Sequence, residues 1–403
     1  MSTLLTRRHV LAVGSQIALT SAVSMAIGGS ALLPSAARAA QLGELQPADL
    51  NGLRLPEGFS SRIVAQSLLP VRTDSGEFLD YSWHIYPDGG ATFAQNDGGW
   101  IYVSNSESLA ELGGGASALR LDANGRVSAA YRILSGTRLN CAGGATPWGS
   151  WLSCEEIAFG FVYECDPIGV APAVKRRALG AFKHEAVAVD PLYRHLYLTE
   201  DESDGRLYRF SAANYPDLSA GRLEVAVVDP SSGYVTWRAL PLPDPTVTPL
   251  GYLWPTRKQV SNSTAFNGGE GIWYHDGTVY FTTKGDNKVW ALDTHTQVLR
   301  VLYDAATNAG PILRGVDNVT VSTSGKVIVA EDGGDMQLVV VDAAGRALPL
   351  LQIEGQASSE ITGPAFNPAE DRLYFSSQRG PYSDGQSFGV TYEVHGPFHE
   401  LLR

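Results

Sequence analysis

The segment HEAVAVDPLYRHLYLTEDESDGRLYRFSA, His184–Ala212, decides the fold. A polar, acidic start leads into a short apolar run. A turn follows at Asp190–Pro191, then an aromatic-rich run, then a polar end. Apolar runs this short, bounded by Asp, Pro and Gly, read as strands and not as helices. The same order recurs along the chain. One unit runs from Trp83 through GGWIYVSNSE (Gly98–Glu107) and ASALRLDANGRVSAAYRIL (Ala116–Leu134), and a second from Cys141 through GSWLSCEE (Gly149–Glu156) and GFVYECDP (Gly160–Pro167). His184–Ala212 is the third. The fourth spans Gly269–Asp304, the fifth Gly315–Ile353, and the sixth Ser359–Gly380 finished by GVTYEVHG (Gly389–Gly396). Units of about 40–50 residues with short strands are the mark of propeller blades. The pattern predicts an all-β, six-bladed β-propeller within a single domain, residues 40–403, with Leu53–Ala65 adding a strand to the last blade. A β-sandwich does not call for six similar units.

In a propeller blade the first strand lines the central channel, so the residue at its start faces the channel mouth. In units two to six those positions hold Cys141, Glu185, Glu270, Asp317 and Glu360. The ends of the second strands are also polar: Asn105 and Glu107, Glu155 and Glu156, Glu200 and Asp201, Lys284, Glu331 and Asp332, Gln378 and Arg379. Whether they reach the same mouth is left open at this stage. Clustered carboxylates repel, and their pKa values rise unless cations neutralise them. Oxygen-rich sets suit calcium; a thiolate mixed with carboxylates suits a transition metal such as iron. The competing reading is that these acids cap strand ends and bond to loop N–H groups.

The stretch NCAGGATPWGSWLSCEE, Asn140–Glu156, carries the most chemistry. The chain has three cysteines. Cys154 and Cys165 are expected on facing strands of one hairpin, where directly opposite positions could form a disulfide. That leaves Cys141 as a lone thiol at the start of a channel strand. Gly143 and Gly144 are expected to let the backbone approach the cluster closely, and Trp148 and Trp151 to pack between blades. Glu155 and Glu156 alternate across a strand end, so only one can face the channel. His184 is the histidine placed nearest the site.

The 403 residues, 44% hydrophobic, support a large core, and 43 Gly with 22 Pro favour many short elements. A formal charge of −12 excludes general affinity for nucleic acid or an anionic membrane. At the N-terminus, Arg7 and Arg8 precede a mildly apolar run, Leu11–Leu33, followed by Ala-Arg-Ala at Ala37–Ala39; the alternative is a transmembrane anchor, against which the Gly, Ser and Gln residues of the run argue. Paired arginines, an apolar run diluted by Gly and Ser, and a small-residue cleavage site predict a twin-arginine export signal over residues 1–39. The expectation is a periplasmic or secreted monomer, delivered by the twin-arginine machinery, with no stable membrane insertion.

Six pieces, NCAGGATPWGSWLSCEE, HEAVAVDP, GEGIWY, GVDNVTVS, SEITGPAFNP and the arginine-pair signal, together resemble PhoX-type alkaline phosphatases. The resemblance implies a six-bladed propeller that hydrolyses phosphate monoesters at an iron–calcium cluster, with Fe3+ and Ca2+ as cofactors. It implies that Cys141 binds iron, that Glu185 and Glu270 bind metal, and that Asp317 binds calcium. Asn105 and Glu107 match the outer positions of an Asn-His-Glu segment in which Ser106 stands for the histidine. Glu155 and Glu156 match the paired glutamates. Family members carry Arg-Pro before the glutamate of the fourth unit, and that arginine binds phosphate; this chain has Gly268 and Gly269. Lys284 and Arg379 are the candidates to take over phosphate binding. The alternatives are a calcium-dependent lactonase or esterase, which has no use for a thiolate at Cys141, and a non-catalytic ligand-binding propeller.

Overall fold

The computed structural model of the chain describes residues 41–247, 254–308, 310–380 and 388–403. The expected export signal, residues 1–39, lies outside them. The described chain forms six antiparallel sheets of four or five strands arranged as a six-bladed β-propeller, and a seventh, two-stranded sheet outside the blades pairs Pro70–Arg72 with Phe78–Ser82. The first strands are, in order, Pro87–Ala94, Asn140–Ala145, His184–Asp190, Gly269–His275, Val316–Val321 and Ile361–Phe366. Each packs against the first strands of its two neighbours, so the six close a ring around one axis. The first unit therefore starts at Pro87 and not at Trp83, whose residue bridges to Ser67 outside the blade.

The closing device differs from expectation in one detail. Ser60–Gln66 pairs with Val390–His395 and forms the outermost strand of blade six, as expected. Leu53–Arg54 instead joins Ala347–Ile353 at the edge of blade five. The N-terminal segment thus ties two blades together. Among the described residues the α-helical content is one turn, Phe398–Leu401, and no helix is long and apolar enough to cross a membrane.

Strand alternation sends apolar side chains to both faces of every blade, and the faces meet at six seams. Each seam holds its own buried cluster. Leu152, Val162 and Leu198 lie between blades two and three, and Val289, Val319 and Val339 between blades four and five. Full burial of such a side chain contributes about 1.5–3 kcal/mol. Trp151 fills the seam between blades one and two, while Trp148 packs at the next seam edge-on against Tyr215. Both tryptophans thus pack between blades, as expected.

The expected Cys154–Cys165 disulfide is absent; all three cysteines are free and buried. The register explains why. Cys165 pairs with Trp151 and Cys154 with Val162, so the thiols lie three positions apart and enter different seams.

Near the axis the first strands are too close for side chains. A Cβ on Gly144 would stand 1.8 Å from the Val187 carbonyl oxygen, and one on Gly89 2.5 Å from the Ala142 Cα. Gly271 meets the Val319 nitrogen at 2.5 Å and Gly363 the Asp88 oxygen at 2.6 Å in the same way. Gly143 and Gly144 are therefore required by strand packing, not by approach to the cluster. Gly144→Ala is expected to cost about 1–3 kcal/mol, the usual penalty of overpacking. An unfolding midpoint equal to the parent's in denaturant would contradict this convergence.

Candidate metal centre

Every first strand carries a register shift at its start, between Pro87 and Gly90 in blade one and between His184 and Val187 in blade three, for example. A bulge re-aims the residue inside it. Here it turns the second residue of the strand in blades one to five, Asp88, Cys141, Glu185, Glu270 and Asp317, toward the axis at one channel mouth; in blade six the shift follows the matching residue, Thr362, which pairs with Ser376 and donates to the Pro87 carbonyl at 2.7 Å. A second ring follows the ends of the second strands: Glu107, Glu156, Asp201, Lys284, Asp332 and Gln378. Each backbone N–H of this ring donates to the carbonyl two residues before the matching axial residue, from Glu107 to Tyr86 at 3.0 Å through Gln378 to Glu360 at 3.0 Å. Antiparallel pairing thus brings both rings to the same mouth, the point left open by the sequence.

The side chains meet in four overlapping groups whose ligand atoms lie within 4.8 Å of one another: Cys141, Glu156 and Glu185; Asp88, Glu107 and Glu360; Glu185, Glu270 and Asp317; Asp317, Asp332 and Glu360. The Cys141 Sγ donates to Glu185 Oε1 at 2.9 Å. Gln378 Nε2 donates to Asp88 Oδ2 at 2.5 Å and to Glu107 Oε2 at 2.7 Å. With Asp201, nine carboxylates share this mouth with three cations. Lys183 Nζ lies 2.9 Å from Glu156 and 2.5 Å from Asp201. Lys284 Nζ lies 2.9 Å from Asp317, 3.2 Å from Asp332 and 3.5 Å from Glu270. Arg379 Nη1 lies 2.6 Å from Glu360.

Burial and mutual repulsion act on this excess of acid. Desolvation, then Glu107, Glu360 and Asp317, holds Asp88 well above the usual carboxylate range. Desolvation followed by Glu156 does the same to Glu185, and desolvation followed by Asp317 to Glu270. Glu156 is pushed up to about 7 and Glu360 to about 8, burial being the larger cause in each. The Cys141 thiol is raised by burial and by Asp88 and Glu185. Two buried oxygens, Glu185 Oε2 and Glu270 Oε1, have no hydrogen-bond partner. A buried charge without a partner is costly, and a bound cation removes that cost. The donor set fits metal: a thiol with two carboxylates suits iron, and the all-carboxylate groups suit calcium.

Of the residues expected at the site, Cys141, Glu185, Glu270, Asp317, Glu107, Glu156 and Glu360 are brought together. Glu360 gets there by a different route. It precedes the first strand of blade six and bridges to Asp332, while Thr362 holds the axial position. Asn105 does not join the groups. Its Nδ2 donates to the Cys141 and Ala142 carbonyls at 2.9 and 2.8 Å, and its Oδ1 accepts from Trp151 and Ser153. Thr199 and Thr282, at the matching positions of blades three and four, likewise donate to the Glu270 and Asp317 carbonyls. Asn105 is thus a clamp between blades that sets the height of Cys141. Glu155 also stays outside, accepting from the Arg138 and Phe161 N–H groups. Here the strand-end reading is the right one. His184 is buried against Phe182, bonded to the Gly180 carbonyl and pushed down to about 3 by burial.

Sequence reading missed Asp88 and Lys183 as members; Asp201 and Asp332 were named at the ends of second strands, with their place at the mouth left open. Asp88 sits in Tyr-Pro-Asp-Gly-Gly, which reads as a turn; aligning the six strand starts would have placed it beside Cys141 and Glu185. Gly268, where the resemblance implies an arginine, lies at the rim: a Cβ there would be 3.4 Å from Asp201 Oδ1 and 3.7 Å from Glu270 Oε1.

Residues 89–298 match the family described as alkaline phosphatase PhoX. Among solved structures, Pseudomonas fluorescens PhoX in complex with vanadate, a transition state analogue, superposes with a TM-score of 0.69 at 16% identity, covering 89% of this chain and 98% of that one. A gluconolactonase from Xanthomonas campestris gives a TM-score of 0.49 at 13% identity, covering 88% of this chain and 98% of that one. No curated protein sequence matches the chain.

The raised carboxylates fix the sign of a pH effect. Glu156 and Glu360, near 7 and 8 in the folded chain against an ordinary 4.5, keep protons that the unfolded chain has released. Stability of the ion-free protein therefore falls as pH rises through that window. Thermal scans in chelator from about pH 5 to about pH 9 are expected to show a falling midpoint. Added calcium is expected to flatten the profile. A midpoint that rises with pH in chelator would contradict the burial of these acids.

Proposed function

The chain belongs to the alkaline phosphatase PhoX family, and on that premise we propose that it hydrolyses phosphate monoesters at the acidic mouth of its propeller channel. The observation that carries this reading is the meeting of one thiol with eight carboxylates in four metal-sized groups, two of their buried oxygens lacking a hydrogen bond. Cys141, Glu156 and Glu185 would hold iron. Glu270, Asp317, Asp88, Glu107 and Glu360 would complete the iron–calcium set. When bound, such ions polarise a phosphoryl oxygen and make water nucleophilic at neutral pH.

The chain's own part is to bind, orient and balance charge. A protein of charge −12 repels a phosphate ester, so cations at the mouth must reverse the local field. Of the two side chains expected to hold phosphate, Arg379 is the available one. Its side chain is 45% exposed and shows one carboxylate partner, Glu360. A guanidinium has donors to spare for a phosphate oxygen. Lys284 is drawn into three carboxylates and serves them first. Asn105 keeps the Cys141 backbone in place. The rest of the reading concerns location: residues 1–39 act as a twin-arginine signal, and the folded monomer works in the periplasm or outside the cell.

Metal analysis of the exported protein beside Cys141→Ser tests this, together with hydrolysis of an aryl phosphate. The parent is expected to contain iron with calcium and to hydrolyse the phosphate; Cys141→Ser is expected to lose both iron and activity. Arg379→Ala is expected to raise KM roughly tenfold with a smaller effect on kcat, the loss of one charged hydrogen bond. Calcium alone in both proteins, with turnover of lactones and none of phosphate esters, would overturn the phosphatase reading in favour of the lactonase.

A further inference from the structure

The second ring at the mouth carries acids in blades one, two, three and five: Glu107, Glu156, Asp201 and Asp332. Blade four breaks the series with Lys284. Its backbone is fixed like the others, its N–H donating to the Gly268 carbonyl at 2.8 Å. Its ammonium is not turned out to solvent. It sits between blades four and five, 2.9 Å from Asp317, 3.2 Å from Asp332 and 3.5 Å from Glu270.

The four carboxylate groups therefore differ in what they still need. In the group of Asp317, Asp332 and Glu360, Lys284 serves the first two members and Arg379 the third, at 2.6 Å. In the group of Glu185, Glu270 and Asp317, Lys284 hydrogen-bonds only to Asp317 and stands 3.5 Å from Glu270 Oε1 without a hydrogen bond, and Glu185 Oε2 is buried with no hydrogen bond, so unlike the first group one member has no cation. In the group of Asp88, Glu107 and Glu360, Gln378 supplies hydrogen bonds but no charge.

We infer that Lys284 is a built-in cation that takes the place of one metal ion, so that the Asp317–Asp332–Glu360 group stays free of metal while the neighbouring groups are loaded. A divalent ion in that group would share Asp317 and Asp332 with an ammonium and meet its charge at contact distance, an unfavourable arrangement in a partly desolvated site. The inference rests on reading the mouth as a metal centre, and it changes that reading: the number of ions held is one fewer than the carboxylate groups would accept.

The test is metal stoichiometry, not activity. The parent, Lys284→Gln and Lys284→Arg are saturated with calcium, freed of loose ions and assayed for bound metal per chain. Lys284→Gln is expected to hold one calcium more than the parent, and Lys284→Arg the same number as the parent. Equal, non-zero numbers in the parent and Lys284→Gln overturn the inference and leave the metal centre standing. Absence of bound metal in every protein overturns both. If Lys284→Gln does not fold, a crystal structure of the calcium-loaded parent decides. The Lys284 ammonium between Asp317 and Asp332 supports the inference; calcium there, with Lys284 turned outward, overturns it.

Discussion

Six strands converge on one axis so closely that Gly89, Gly144, Gly271 and Gly363 have no room for a Cβ. That crowding governs the rest of the molecule. It forces the bulged second residue of the first strand in blades one to five into one small volume at the channel mouth. Because antiparallel partners return to the same end, it also gathers the residues that follow the second strands. An axial ring and a return ring with eight acids and a thiol between them, joined by Glu360 just before the first strand of blade six, result from this topology. Each acid is held there by a backbone position that the neighbouring blades fix, so mutual repulsion cannot spread them apart. The apolar seams stabilise the ring, and the ring in turn imposes an excess of negative charge on its own mouth.

That excess is met unevenly. Lys183, Lys284 and Arg379 each stand against carboxylates of particular blades, with Lys284 coming only to 3.5 Å from Glu270 Oε1, while Glu185 Oε2 is left buried without a hydrogen bond. The chain thus neutralises the parts of the mouth near its rim with side chains and leaves the part nearest Cys141 for ions. Such a division suits chemistry on an anion. Ions deep in the site would act on the reacting group, and Arg379 at the rim would bind and orient it. Gly268 supplies no side chain to the mouth, and the cations there are Lys183, Lys284 of blade four and Arg379.

Much of this was legible in the residues. The repeated order of acidic start, apolar strand, turn and aromatic strand identified six blades, and the starts of the channel strands pointed to Cys141, Glu185, Glu270 and Asp317. Other members were hidden for definite reasons. Asp88 lay inside a Pro-Asp-Gly-Gly sequence whose composition signals a turn, though its glycines answer to strand convergence. Asn105 and Glu155 carry the right atoms for ligands, but their lone pairs and donors are consumed by backbone groups that only the three-dimensional register reveals. Cys154 and Cys165 lie on paired strands, yet a three-position offset sends them to opposite faces, a distinction that hairpin spacing alone does not carry. The ends of the second strands were recognised as polar, while their arrival at the same mouth follows from the antiparallel return of each second strand beside the start of the first, which only the pairing in three dimensions shows.

The central claim is that a thiolate and carboxylates, brought together by strand convergence, hold a metal ion in common. X-ray absorption at the iron edge of the exported protein tests it most directly. A first coordination shell with one sulfur among oxygen scatterers is the predicted result, the sulfur being that of Cys141. A shell of oxygen and nitrogen alone would contradict it and would place any iron away from the Cys141 end of the channel.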